Sequence, residues 1–168
     1  DEKGAKMSKS KKNYTDPLAD MDRYGADAAR YYLLGSVVMS AEDMSFKEEE
    51  LREAHNRYVN MLWNSYKFFE LHRDACEAGM QRPQSTYVLD RWMLARLNQA
   101  VREVTEQMDA YDTGRTARAL RELVTDLSTW YVRRSRDRFK SDDDEDRYAA
   151  HATLQHVLVT VAKLTAPL

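Results

Sequence analysis

Leu120-Arg121-Glu122-Leu123-Val124-Thr125-Asp126-Leu127-Ser128-Thr129-Trp130-Tyr131 decides the fold. Leu120, Leu123, Val124, Leu127, Trp130 and Tyr131 recur at intervals of three and four, so a helix places them on one face. That face then changes character. At about 100 degrees per residue, Arg134 and Arg138 fall on the same stripe, while Arg133, Arg136 and Lys140 populate the neighbouring one.

The same period recurs on both sides of this stretch. Upstream, Leu89, Met93, Leu97, Val101, Val104 and Met108 predict a helix of about six turns from Thr86, ended by Tyr111-Asp112-Thr113-Gly114. Further upstream, Leu51, Ala54, Tyr58, Met61, Leu62, Ser65 and Phe69 line a long helix running to about Cys76. Ser45 and Glu48 fit a capping box at its start, and Gly79 and Pro83 mark the turn after it. Downstream, Ser141 with Asp144 caps a fourth helix, whose core side carries Leu154, Val157, Leu158, Val161 and Leu164 and which Pro167 limits. Four amphipathic helices with short connections predict an all-α fold, a four-helix up-and-down bundle, with Trp92 and Trp130 in its core.

Residues 1–44 read differently. The first 14 hold five lysines and no periodicity, which predicts an exposed loop. Asp16-Pro17 then caps a short helix carrying Leu18, Met21 and Tyr24 and ending at Gly25. Ala26 to Leu34 makes a second, with Ala29, Tyr32 and Leu33 on one side. The expected organisation is therefore a lysine-rich loop and connecting short helices over 1–44, then the bundle over 45–168.

Composition narrows the function classes. With 26 basic and 28 acidic side chains and a net charge of -2, the molecule is not a polycation, so an anion site has to be local. The one cysteine, Cys76, excludes an internal disulfide framework and suits a reducing compartment, with cytoplasm as the expectation. No apolar run approaches the roughly twenty residues that span a bilayer, so no membrane partner is expected. His55, His72, His151 and His156 lack a metal-ligand spacing, and no metal site is expected. A charged start without an initiator Met suggests an excised fragment.

Lys6-Met7-Ser8-Lys9-Ser10 is where the sequence suggests reaction chemistry. Lysine is a compact charge on a flexible stem, suited to a triphosphate whose leaving oxygens gain charge as the α-phosphate is attacked. Ser8 and Ser10 add hydroxyl donors. The cationic end of the third helix suits RNA, because arginine grips phosphate and stacks on unpaired bases, and Trp130 or Tyr131 would add a stacking face. The same arginines would equally pair with the carboxylates from Asp142 to Glu145.

Lys6 to Ser10 matches the signature loop of the class I aminoacyl-tRNA synthetases letter for letter. Asn13-Tyr14-Thr15-Asp16-Pro17 and Tyr24-Gly25-Ala26-Asp27-Ala28 resemble the segment after this loop in the isoleucyl, valyl and leucyl enzymes. Leu89-Asp90-Arg91-Trp92 and the run from Ser128 to Phe139 are similar to the isoleucyl branch in particular. Lys11 stands where that pattern more often has an apolar residue. The resemblance implies an anticodon-binding bundle on the end of a catalytic domain, most of which is absent. It also implies an aminoacyl-tRNA ligase as the parent, inactive as this fragment. Lys9 inherits the catalytic, ATP-binding role with Lys6 as helper, and Met7, Ser8 and Ser10 complete the ATP loop. Arg133, Arg134, Arg136, Arg138, Trp130, Tyr131 and Arg91 are the tRNA candidates. ATP with Mg2+ is expected as substrate of the whole enzyme and not of the fragment alone. The expected partners are tRNA and the rest of the polypeptide. Two rivals are a valyl, leucyl or methionyl relative and a non-enzymatic helical protein-interaction module.

Overall fold

Asp16 opens the first helix, accepting the Leu18 amide at 3.0 Å ahead of Pro17. In this computed structural model, which describes residues 6–8, 10, 11, 13, 16–73 and 85–168, the helix α1 spans Pro17–Tyr24 and α2 spans Ala26–Leu34. Gly25 stands alone between them at φ 86°, a conformation that favours glycine. Tyr24 is buried as expected, but Leu18 and Met21 are exposed, and Asp20 takes the other buried position of α1. Leu33 is likewise exposed, whereas Ala28, Ala29, Tyr31 and Tyr32 are buried.

After a 3-10 turn at Val37–Ser40 come, among the described residues, four rods. The first is α-helical over Glu48–Ala54 (α3) and Asn60–Leu71 (α4), with a π-helical turn at His55–Val59 between them. The second is α5, Val88–Asp109. The third joins α6, Thr113–Thr125, to the short α7, Arg133–Ser135, through a second π-turn at Asp126–Val132, and ends in a 3-10 corner at Arg138–Lys140. The fourth is α8, Asp144–Thr165. Among the described residues there is no strand, and the four rods form the predicted all-α bundle. Cys76, Gly79 and Pro83 lie outside the described residues.

Three expected helix ends move. The capping box at Ser45 does not form: Lys47 is the cap position, and Glu48 accepts the Tyr24 hydroxyl at 2.7 Å and Arg23 at 2.5 Å. Asp143, not Ser141, caps α8, accepting the amides of Glu145 and Asp146. Thr113 and Gly114 open α6 rather than close α5, because Asp112 caps them by accepting the Arg115 amide at 2.9 Å.

The main core runs through all four rods, with Leu97, Leu120, Leu123, Leu127, Leu154 and Val157 at its centre. A smaller cluster of Tyr24, Ala28, Ala29, Tyr32 and Leu51 holds α1 and α2 against α3. Tyr31 crosses from the short-helix layer into the main core. Its ring stacks on Tyr58 at 4.1 Å and 9°, and its hydroxyl donates to the Ala117 carbonyl at 2.6 Å.

Candidate functional site

The lysine loop is held in a turn by Asn13. The Asn13 Oδ1 accepts the Ser8 amide at 3.0 Å, and its Nδ2 donates to the Lys6 carbonyl at 3.3 Å. Ser8 Oγ lies 3.2 Å from Ser10 Oγ and accepts the Lys11 amide at 3.3 Å. Lys6, Ser10 and Lys11 are exposed, Ser8 is half-buried, and among the described residues neither of these lysines has a carboxylate partner. Met7 lines a small apolar pocket of 190 Å³ with Pro17, Met21, Tyr32, Phe46 and Leu51. Asp20 lines it too, and burial, then the nearby Glu48 charge, raises its carboxyl above the usual value. Lys9, which carries the catalytic expectation, lies outside the described residues.

The second place is where the start of α5 meets the second π-turn. An i to i+5 turn holds one residue more than an α turn and so shifts what faces inward. Leu127, Tyr131 and Val132 take the buried positions, and Trp130 is turned out of the core to 50% exposure. The guanidinium of Arg134 lies 4.5 Å from the Trp130 ring centroid, a cation over an aromatic face. Together with Thr86, Tyr87, Val88, Leu89 and Trp92, these two residues line an open groove of 700 Å³. Arg133 and Arg136 are exposed nearby in the chain, as is Arg91 in the first turns of α5.

Arg138 and Tyr131 were expected on this surface, and both are inside. Tyr131 is fully buried, its one hydroxyl proton shared between Asp90 Oδ1 at 2.8 Å and the Ala150 carbonyl at 3.1 Å. Arg138 is 8% exposed and bidentate on Asp90, at 2.7 and 2.9 Å, while its Nε donates to Asp146 at 2.8 Å. Burial alone would favour loss of the guanidinium proton, but the hydrogen bonds to Asp90 and Asp146 outweigh it and hold the charge. Burial, then the Asp90 charge, pushes the Tyr131 hydroxyl well above its ordinary range. Arg134 and Arg138, expected on one stripe, therefore separate: the first caps an exposed ring, the second neutralises a buried carboxylate.

Sequence reasoning missed Asp90 as the organising group. The signal was present, since Asp90, Met93 and Leu97 follow at three and four on the buried face of α5, so a carboxylate occupies a core position. Tyr87 was missed with it. Among the described residues no group of three or more His, Cys, Asp or Glu side chains is placed to hold a metal ion, and no helix is long and apolar enough to cross a membrane.

Two stretches of the chain match known families. Residues 1–45 match the family of class I tRNA synthetases (I, L, M and V), and residues 90–168 match the anticodon-binding domain of tRNA ligase. The isoleucine–tRNA ligases of Deinococcus radiodurans and Thermus thermophilus are each 45% identical over 99% of this chain. The chain spans 16% of the length of either relative. Among solved structures, the LeuRS–tRNA–LeuAMS ternary complex from Agrobacterium radiobacter superposes with a TM-score of 0.63 over 99% of this chain and 20% of that one. At 19% identity, that likeness concerns the fold alone.

Proposed function

We infer that this chain, which belongs to the class I tRNA synthetases, is the part of an isoleucyl-tRNA synthetase that runs from the ATP loop through the anticodon-binding bundle. The whole enzyme activates isoleucine with ATP, taken as its magnesium complex, and transfers the aminoacyl group to tRNA in the cytoplasm. In this reading Lys9 and its helper Lys6 bring ammonium charge to the ATP phosphates. Ser8 and Ser10 add weaker donors, and the Asn13 turn keeps Lys6 and Ser10 outward. The rest of the polypeptide supplies the nucleotide and amino-acid pockets.

The bundle supplies the tRNA surface. Its contact residues are Arg133, Arg134, Arg136 and Trp130, with Arg91 at the edge; Tyr131 and Arg138 serve that surface from inside. The observation that carries the reading is the identity of 45% across the lysine loop and the bundle together, in one chain. Two measurements test it. Isoleucine tRNA should displace a bound RNA from this chain at lower concentration than valine or leucine tRNA, and preference for either of those would assign the chain elsewhere. ATP–pyrophosphate exchange should be absent from the chain alone. Absence of all RNA binding would favour a protein-interaction module.

A further inference from the structure

Two of the aromatic side chains lining the groove, Trp130 and Tyr87, touch a guanidinium, but the two arginines differ. Arg134 lies over Trp130 on the exposed side. Arg138 lies within 3.9 Å of the Tyr87 ring centroid, and it is buried. Tyr87 itself is half exposed and lines the groove. Its backbone is held as well: the Tyr87 amide donates to Ser85 Oγ at 3.1 Å, and that hydroxyl donates to Asp90 Oδ2 at 2.6 Å. Asp90 thus collects Ser85, Tyr131 and both terminal guanidinium nitrogens of Arg138 on one fully buried carboxylate. Tyr87 is tied to that centre through its ring and its backbone, and Trp130 through Tyr131, the next residue in the same π-turn.

A buried ion pair is seldom needed for stability, because apolar residues of the same volume often do as well. In several proteins such a pair instead fixes register. Here the register concerned is that of the first turn of α5 against the π-turn, which sets where Tyr87 and Trp92 stand relative to Trp130 and Arg134. The groove is open, with a volume of 700 Å³, on the scale of the clefts of about 300–1,000 Å³ that take small ligands. Aromatic faces accept any base, so such a slot takes an unpaired base and rejects a stacked, paired one.

We propose that Asp90, Arg138 and Tyr131 are positioning residues that fix Tyr87 and Trp130 in the wall of this groove so that an unpaired RNA base stacks there, and so give the bundle its preference for looped over paired RNA. This rests on the RNA-contact reading above. The test uses the whole chain and two probes of equal length, an RNA hairpin with an unpaired loop and a fully paired duplex. Affinity is measured against salt, alongside quenching of tryptophan fluorescence. The native chain should prefer the hairpin, with quenching. Asp90→Asn should lower hairpin affinity about tenfold, and Tyr131→Phe less, with duplex affinity and salt slope unchanged in both. A role in stability alone would not move that ratio selectively.

Should Asp90→Asn fail to fold, Tyr131→Phe, which keeps the ion pair and removes one hydroxyl, decides by the same ratio. Folded variants that keep the native ratio overturn the proposal. Trp130→Ala separates the two ways it can fail. If it abolishes the preference while the Asp90 and Tyr131 variants retain it, the slot stands and the positioning role falls. If the native chain shows no preference for Trp130→Ala to remove, the RNA-contact reading falls, and the proposal with it.

Discussion

The two π-turns among the described residues insert the same kind of residue and use it differently. Each sends a tyrosine inward: Tyr58 at 2% exposure from the first, Tyr131 at 0% from the second. Tyr58 meets neutral partners, the Tyr31 ring and, at 2.5 Å, the Thr165 hydroxyl. Burial, partly offset by that hydrogen bond, raises its hydroxyl to about 12. Tyr131 meets the charged Asp90 and Arg138 pair. The first turn therefore joins layers by packing, whereas the second joins them through charge and turns a tryptophan out as it does so. A π-turn beside neutral groups is a structural splice; beside a buried ion pair it can also present a side chain.

That contrast breaks most easily at Asp90. Asp90→Ala leaves Arg138 buried without its bidentate partner, and unfolding in urea should lose about 3–5 kcal/mol. A loss below about 1 kcal/mol would mean that the pair is not what holds this end of the bundle. Removing only a hydroxyl sharpens the comparison. Tyr131→Phe leaves a buried carboxylate short of a donor and should cost about 1–3 kcal/mol, against about 0.5–1.5 kcal/mol for Tyr58→Phe, where both partners were neutral. Equal losses would erase the distinction between the turns.

His151 gives a shallower, pH-dependent effect. It is buried on α8 with its ring 4.5 Å from Phe69, and burial, then the His72 charge, lowers its affinity for a proton below the ordinary 6.5. As the pH falls through about 6.5 the unfolded chain binds the proton first. The stability is present above that pH and is lost below it, toward the lower folded value. The midpoint of thermal unfolding should fall more between pH 7.5 and 5.5 in the native chain than in His151→Phe. Identical falls would place the acid sensitivity elsewhere. The smallest stability change is expected at Arg134→Ala, within about 0.5 kcal/mol because the side chain is exposed. RNA affinity should still drop, and an unchanged affinity would remove Arg134 from the surface.

Much of this was legible in the letters. The four rods follow from apolar positions repeating at three and four, a pattern that Leu97, Leu120 and Leu154 keep throughout. The site was less so, because a 3.6-residue period presumes an α-helix, and the extra residue at 126–132 rotates everything after it. Trp130, read as core and also as an RNA-stacking face, came out, while Tyr131 and Arg138, read as RNA contacts, went in. Ser45 and Ser141 failed as caps for a different reason. A cap depends on where the first turn settles, and Glu48 and Asp143 had stronger local partners.

The Tyr31 stack on Tyr58 has a consequence for anyone who would cut the molecule into parts. A recombinant bundle beginning at residue 45 would leave one face of Tyr58 bare to water and take the Tyr31 hydroxyl from the Ala117 carbonyl. A cut before Ala26 carries Tyr31 along and keeps both. The piece that can be transplanted is therefore the bundle with α2 attached, and a graft lacking that helix should be the less soluble of the two.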